Sequence, residues 1–138
     1  MNKKLVVLTM SLMLLVSAAA NATTIHVKAN IPLKFMAGRT ILPAGPYELL
    51  SMGVSDNVLL IRSLNSNAVA VVLLNSCQSQ NAPLATKLVF HRYDQRYFLS
   101  AVWMRGDNIG FQVPASSWEV EVARDFSMNE VALILKRN

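Results

Sequence analysis

Between Ile25 and Phe35 the chain alternates without a break. Ile25, Val27, Ala29, Ile31, Leu33 and Phe35 are apolar, and His26, Lys28, Asn30, Pro32 and Lys34 between them are polar or proline. Successive side chains of a strand point to opposite faces, so this spacing predicts a half-buried strand. Pro32 has no N–H to give to a ladder, which puts it at an edge or a bend. Further strands are predicted at residues 47–52, 58–63, 68–75, 87–93, 96–104 and 131–136. Between them lie the turn-forming clusters at 37–39, 53–57, 65–67 and 105–110, together with Leu42-Pro43-Ala44-Gly45-Pro46-Tyr47. There the prolines preset φ and the glycine permits positive φ. Residues 68–74 are apolar at every position, the pattern of a strand covered on both faces.

The clearest hairpin joins 87–93 to 96–104 around Asp94-Gln95. Centred there, Tyr93 faces Arg96, Arg92 faces Tyr97, His91 faces Phe98 and Phe90 faces Leu99. One face then carries Leu88, Phe90, Leu99, Ala101 and Trp103 as core. The other carries Lys87, Val89, His91, Tyr93, Arg96, Phe98 and Ser100, directed outward. Residues 116–125 read two ways. Trp118, Val120 and Val122 alternate like a strand, but Ser116 with Glu119 makes a capping box, and Trp118, Val122 and Phe126 share one helical face. The helix is the favoured reading. About seven strands with turn signals between them predict a mainly all-β fold, an antiparallel β-sandwich or a partly open barrel, with one short helix.

Ahead of this region stands a different kind of segment. Lys3 and Lys4 precede an apolar run from Leu5 to Val16, followed by Ala20-Asn21-Ala22, whose small-x-small pattern suits signal peptidase. The run falls well short of the roughly 20 residues needed to span a bilayer. Residues 1–22 are therefore expected to be a cleaved signal peptide, and 23–138 a single β domain in the periplasm or outside the cell, with no transmembrane anchor after cleavage. Lys+Arg outnumber Asp+Glu by 13 to 8. Two of those cations leave with the signal, and the remaining excess is spread along the chain, which is no nucleic-acid footprint. Charged residues make up 15% of the chain and hydrophobic ones 53%, which excludes a disordered, solvating protein.

The turn Leu42-Pro43-Ala44-Gly45-x-Tyr47 and the hairpin Lys87-Leu88-Val89-Phe90-His91-Arg92-Tyr93, continued by Arg96-Tyr97-Phe98-Leu99 and Trp103, resemble an uncharacterised family of small signal-peptide-bearing all-β exported bacterial proteins. The resemblance spans most of the chain after the signal. It implies an all-β exported domain and brings no activity, cofactor or catalytic residue. Asp94 stands where glycine would be commoner, so a wider hairpin turn is expected.

Candidate chemistry is sparse. Nucleophilic hydrolysis needs Ser or Cys beside a base oriented by a third group. The chain has only His26 and His91 as neutral-pH bases, and no G-x-S-x-G elbow. Asp56, Asp94 and Asp107 sit in turns, and Glu119 and Glu121 fall too close to the ambiguous segment at 116–125 to be assigned as a glycosidase pair. His26, His91 and Cys77 show no metal-ligand spacing. No cofactor, metal or catalytic residue is therefore expected, and the chain is read as a non-enzymatic binding or envelope-associated module, with a small hydrolase as one alternative. The outward hairpin face, with His91, Tyr93, Arg96 and Phe98 and with Lys87 alongside, is the candidate binding surface for a glycan, an anionic polymer or an envelope protein. The runner-up, ahead of the hydrolase, is a surface assembly in which Ile25, Val27, Ile31, Leu33 and Phe35 form a strand added to a neighbour's sheet.

Overall fold

The computed structural model of the protein describes residues 24–53 and 55–136. The expected export segment, 1–22, lies outside them. The alternation that begins at Ile25 does make a strand, β1 (His26–Ile31), and Pro32 ends it. Three residues later Phe35 opens β2 (Phe35–Ala37), which turns back as β3 (Thr40–Leu42). One sequence pattern thus serves two strands in two different sheets. The remaining elements are β4 (Gly45–Met52), β5 (Val58–Ser63), β6 (Val69–Leu73), β7 (Asn75–Gln78), β8 (Lys87–Tyr93), β9 (Arg96–Trp103), β10 (Ile109–Gln112), α1 (Ser117–Asp125) and β11 (Met128–Ile134).

The first sheet has the order β1-β4-β5-β6 and the second β11-β8-β9-β10-β7, with β2 joined to β9 and β3 to β2. Pairing is antiparallel except where β2 runs parallel to β9 at Met36 and Phe98. The sheets do not close on one another, so the architecture is a β-sandwich and not a barrel. Ile25, Ile31, Tyr47, Leu49, Leu59 and Ile61 of the first sheet share one core with Phe35, Leu88, Phe90, Leu99 and Val102 of the second. Phe35 is the hinge of that core. Its ring meets Tyr47 edge-on at 5.3 Å and Phe90 at 5.7 Å, the offset geometry that aromatic quadrupoles favour. The buried Tyr47 hydroxyl donates back to the Pro43 carbonyl, tying the proline turn to β4.

Three expectations are corrected. Residues 68–74 are covered on one face only. Ala70, Val72 and Leu74 enter the core while Val69, Val71 and Leu73 point to solvent from β6, an edge strand. The hairpin turn is not widened, because Tyr93 pairs directly with Arg96 and Asp94 takes the left-handed conformation (φ 56°) that glycine would have supplied. Trp103 does not enter the core. The expected register holds from Tyr93 to Phe90, but a β-bulge then makes Ser100 an extra residue, so Val89 faces Ala101 and Leu88 faces Val102. Val102 is buried in Trp103's stead, and the Trp103 ring lies against Gly110 of β10 so closely that a Cβ there would stand 2.5 Å from it.

Of the two readings of 116–125, the helix stands. Ser116 is extended (φ −75°, ψ 165°) and its side chain accepts from the Glu119 N–H at 3.2 Å, satisfying a donor that the first turn cannot pair itself. Met128 rather than Val131 begins the last strand, which lies along β8 with Glu130 opposite His91.

Candidate functional site

The hairpin face expected to look outward is roofed by α1. Tyr93 and Phe98 are buried, edge-to-face at 5.8 Å, beneath Val122, with Met36 and Trp118 packed alongside. The five expected site residues therefore do not form one surface. Tyr93 and Phe98 hold the helix, Arg96 opens into a cleft on one side of it, and His91 and Lys87 line a separate cavity on the other. The proposed assembly strand is likewise committed to this domain. Ile25, Ile31 and Phe35 are buried in its core, with Val27 and Leu33 packed against them.

Beside the helix, four polar groups are linked in a chain. Glu119, buried, accepts through Oε2 from the Tyr93 hydroxyl at 2.9 Å and meets His91 Nδ1 at 3.0 Å. The other ring nitrogen, Nε2, lies 2.9 Å from Ser100 Oγ. An ionised carboxylate can only accept, so Nδ1 carries the ring proton, and in the neutral ring Nε2 is then an acceptor. In that neutral tautomer the Ser100 hydroxyl is the donor to it. The bulge keeps Ser100 on the face that carries Val89 and His91, where the regular register also put it, and brings Ala101 to that face beside it. Ser100 and His91 open on a cavity of about 510 Å³ between β8, β9 and the connection at 79–86. Burial, and after it the hydrogen bond and charge of Glu119, push the Tyr93 hydroxyl up to about 12.

On the far side of α1 lies a cleft of about 570 Å³, floored by Phe35, Met36 and Phe98 and bordered by Tyr97 and Trp118. Lys34 and Arg96 stand at its edge against a single carboxylate, Glu121. The Arg39 guanidinium sits 5.4 Å from the centre of the Trp118 ring, within cation–π range. The cleft combines flat apolar surface with an excess of cationic donors, and its size suits a small organic molecule.

Comparison with protein-family models, curated proteins and solved structures finds no match for this chain. The site is accordingly read from its own geometry. Among the described residues no three of His, Cys, Asp and Glu are grouped to hold a metal. Cys77 sits on β7 opposite Gly110, its thiol pushed up by burial, and it touches neither cavity. His26 is engaged by Glu48 on the outer face of the first sheet, where Glu48 also pairs with Arg62 at 3.1 Å. Sequence reasoning placed Ser100 and His91 on the same face, and it read Glu119 as a capping residue and set it aside as a catalytic carboxylate. Glu119 is also the buried acceptor of the chain, and the apolar sequence around it, Trp118 and Val122, was the one signal of the packed face that carries it inward. Trp118, Tyr97 and Lys34 were missed because the cleft exists only once α1 lies across β2 and β9.

Proposed function

We propose that the protein is an exported binding module that holds a small anionic amphiphile, a molecule with a flat apolar body and one acidic group, in the cleft between α1 and the β2–β9 edge. The observation that carries this reading is the meeting of Trp118 and Tyr97 with Lys34 and Arg96 around an apolar floor. The rings supply flat contact area at low entropic cost, and Arg96 supplies a forked pair of donors for an acid group. This shape favours a compact ligand over the three partners expected from the sequence, a glycan, an anionic polymer or an envelope protein. Export is supported by the basic, apolar and small-residue order of residues 1–22, and by the resemblance to exported β-proteins.

The test is titration of the purified protein with anilinonaphthalene sulfonate and with decyl sulfate, followed by calorimetry, with near-UV circular dichroism to verify native packing. One saturable site is expected. Arg96→Gln, an exposed substitution, should weaken it about tenfold, or ~1.4 kcal/mol. Binding that is absent from the folded protein, or indifferent to Arg96→Gln and Trp118→Phe together, overturns the reading. N-terminal sequencing of the protein from the cell envelope should begin at Thr23. A cytoplasmic chain beginning at Met1 would remove the export part alone.

A further inference from the structure

We propose that Ser100, His91 and Glu119 form an acyl-transfer relay, with Ser100 as a nucleophile toward small carboxylic esters that enter the cavity beside α1. This cavity shares no lining residue with the Trp118 cleft, and the inference does not depend on ligand binding there. Three features carry it. The order of contacts, hydroxyl to Nε2 and Nδ1 to a buried carboxylate, is that of a nucleophile, its base and the group that orients the base. The tautomer required of His91 by Glu119 is the one that leaves Nε2 free to take the Ser100 proton. Finally, α1 is docked by Val122 and Trp118 packing with Tyr93 and Phe98 and by the contacts of Tyr93 and His91 with Glu119, none of which involves Ser100. The Ser100–His91 bond lies within a hairpin already closed by its backbone ladder, and it faces the cavity rather than the helix.

The chemistry balances without a further reagent. Ser100 Oγ adds to the ester carbonyl carbon as its proton passes to Nε2, and Glu119 stabilises the resulting imidazolium. The tetrahedral adduct collapses by breaking the bond to the alcohol oxygen, which leaves with the proton from Nε2, and the acyl group stays on Ser100. Water then adds to the acyl carbon, giving one proton to Nε2. The bond to Oγ breaks, Oγ recovers that proton, and a carboxylic acid departs. Asn81, Lys87 and Gln112 line the same cavity and carry N–H donors for the developing oxyanion. Glu119 is a positioning residue, since it meets the substrate only through His91.

The experiment exposes the purified, folded protein to a fluorophosphonate and, separately, to p-nitrophenyl acetate. A single covalent adduct mapping to Ser100 is expected, together with ester hydrolysis that falls at least about a hundredfold in Ser100→Ala. Glu119→Gln should lower kcat about tenfold or more with KM little changed, a split that a merely structural role would not produce. Absence of an adduct on Ser100 in protein with native near-UV circular dichroism overturns the proposal without recourse to any variant. Hydrolysis undiminished by Ser100→Ala overturns it equally.

Discussion

Glu119 shows how far a single residue can be read before the fold is known. Its position three after Ser116 marks a helix start, and the Ser116 side chain does accept from its backbone N–H. Its carboxylate, however, does not turn back to complete the capping box. It reaches the sheet, and nothing local in the sequence says that His91 and Tyr93, 28 and 26 positions earlier, wait there for it. The pairing leaves a measurable trace at high pH. The Tyr93 hydroxyl is pushed up to about 12, whereas an unfolded tyrosine ionises near about 10. Over that interval the folded state holds a proton that the unfolded state has lost. The stability this provides is whole below about pH 10 and is lost as the pH climbs through about 12. Tyr47 is also raised by burial and will keep part of the effect. Tyr93→Phe is thus expected to reduce, without abolishing, the fall in thermal midpoint between about pH 10 and 12. A fall as steep as in the parent would mean that Tyr93 ionises as freely in the fold as outside it.

Among elements, those fixed by their own pattern were legible and those fixed by a neighbour were not. β4 lies between Gly45-Pro46 and Gly53, β5 between Asn57 and Asn65, and β8 runs up to Asp94, and these strands formed close to where those turn residues predicted them. β7 and β10 were invisible as a pair. Gly110 reads as a turn residue, yet it sits mid-strand because Trp103 occupies the space its side chain would fill. The bulge in β9 has no sequence signature either, and it displaced Trp103 from the core. The helix α1 is short, nine residues, and helices of that length draw most of their stability from packing and caps. Ser116→Ala removes the cap and should cost about 1 kcal/mol in a denaturant titration. The fluorescence of Trp118 should be lost from the transition no earlier than the sheet signal if α1 and the sheet unfold together. A cost near zero would show that water caps the helix as well as Ser116 does.

At the scale of the whole molecule, the two sheets treat their outer faces differently. The second sheet is roofed by α1 over Tyr93 and Phe98, while the first shows its outer face to solvent, with β6 at its edge and Val71 and Leu73 60% and 66% exposed. Its continuous apolar run suggested burial on both sides, because the sequence cannot tell a sandwiched strand from an edge strand that leaves its apolar side chains uncovered. A bare apolar edge is a template for strand pairing between copies. Val71→Lys, opposite Leu60, should therefore suppress concentration-dependent light scattering while changing stability by no more than about 0.5 kcal/mol. Scattering that persists would assign self-association to another surface. The sandwich itself was legible because seven of its strands announce themselves, whereas both cavities were not, since each lies where α1 or the 79–86 connection approaches residues distant in the chain. Those cavities share one further property. The protein has two tryptophans, and each hollow has one in its wall, Trp103 beside Ser100 and Trp118 beside Arg96. The molecule thus carries a native optical label at each site. Trp118→Phe leaves emission that reports only the Ser100 cavity, Trp103→Phe leaves emission that reports only the cleft, and occupancy of either can be followed without attaching a dye.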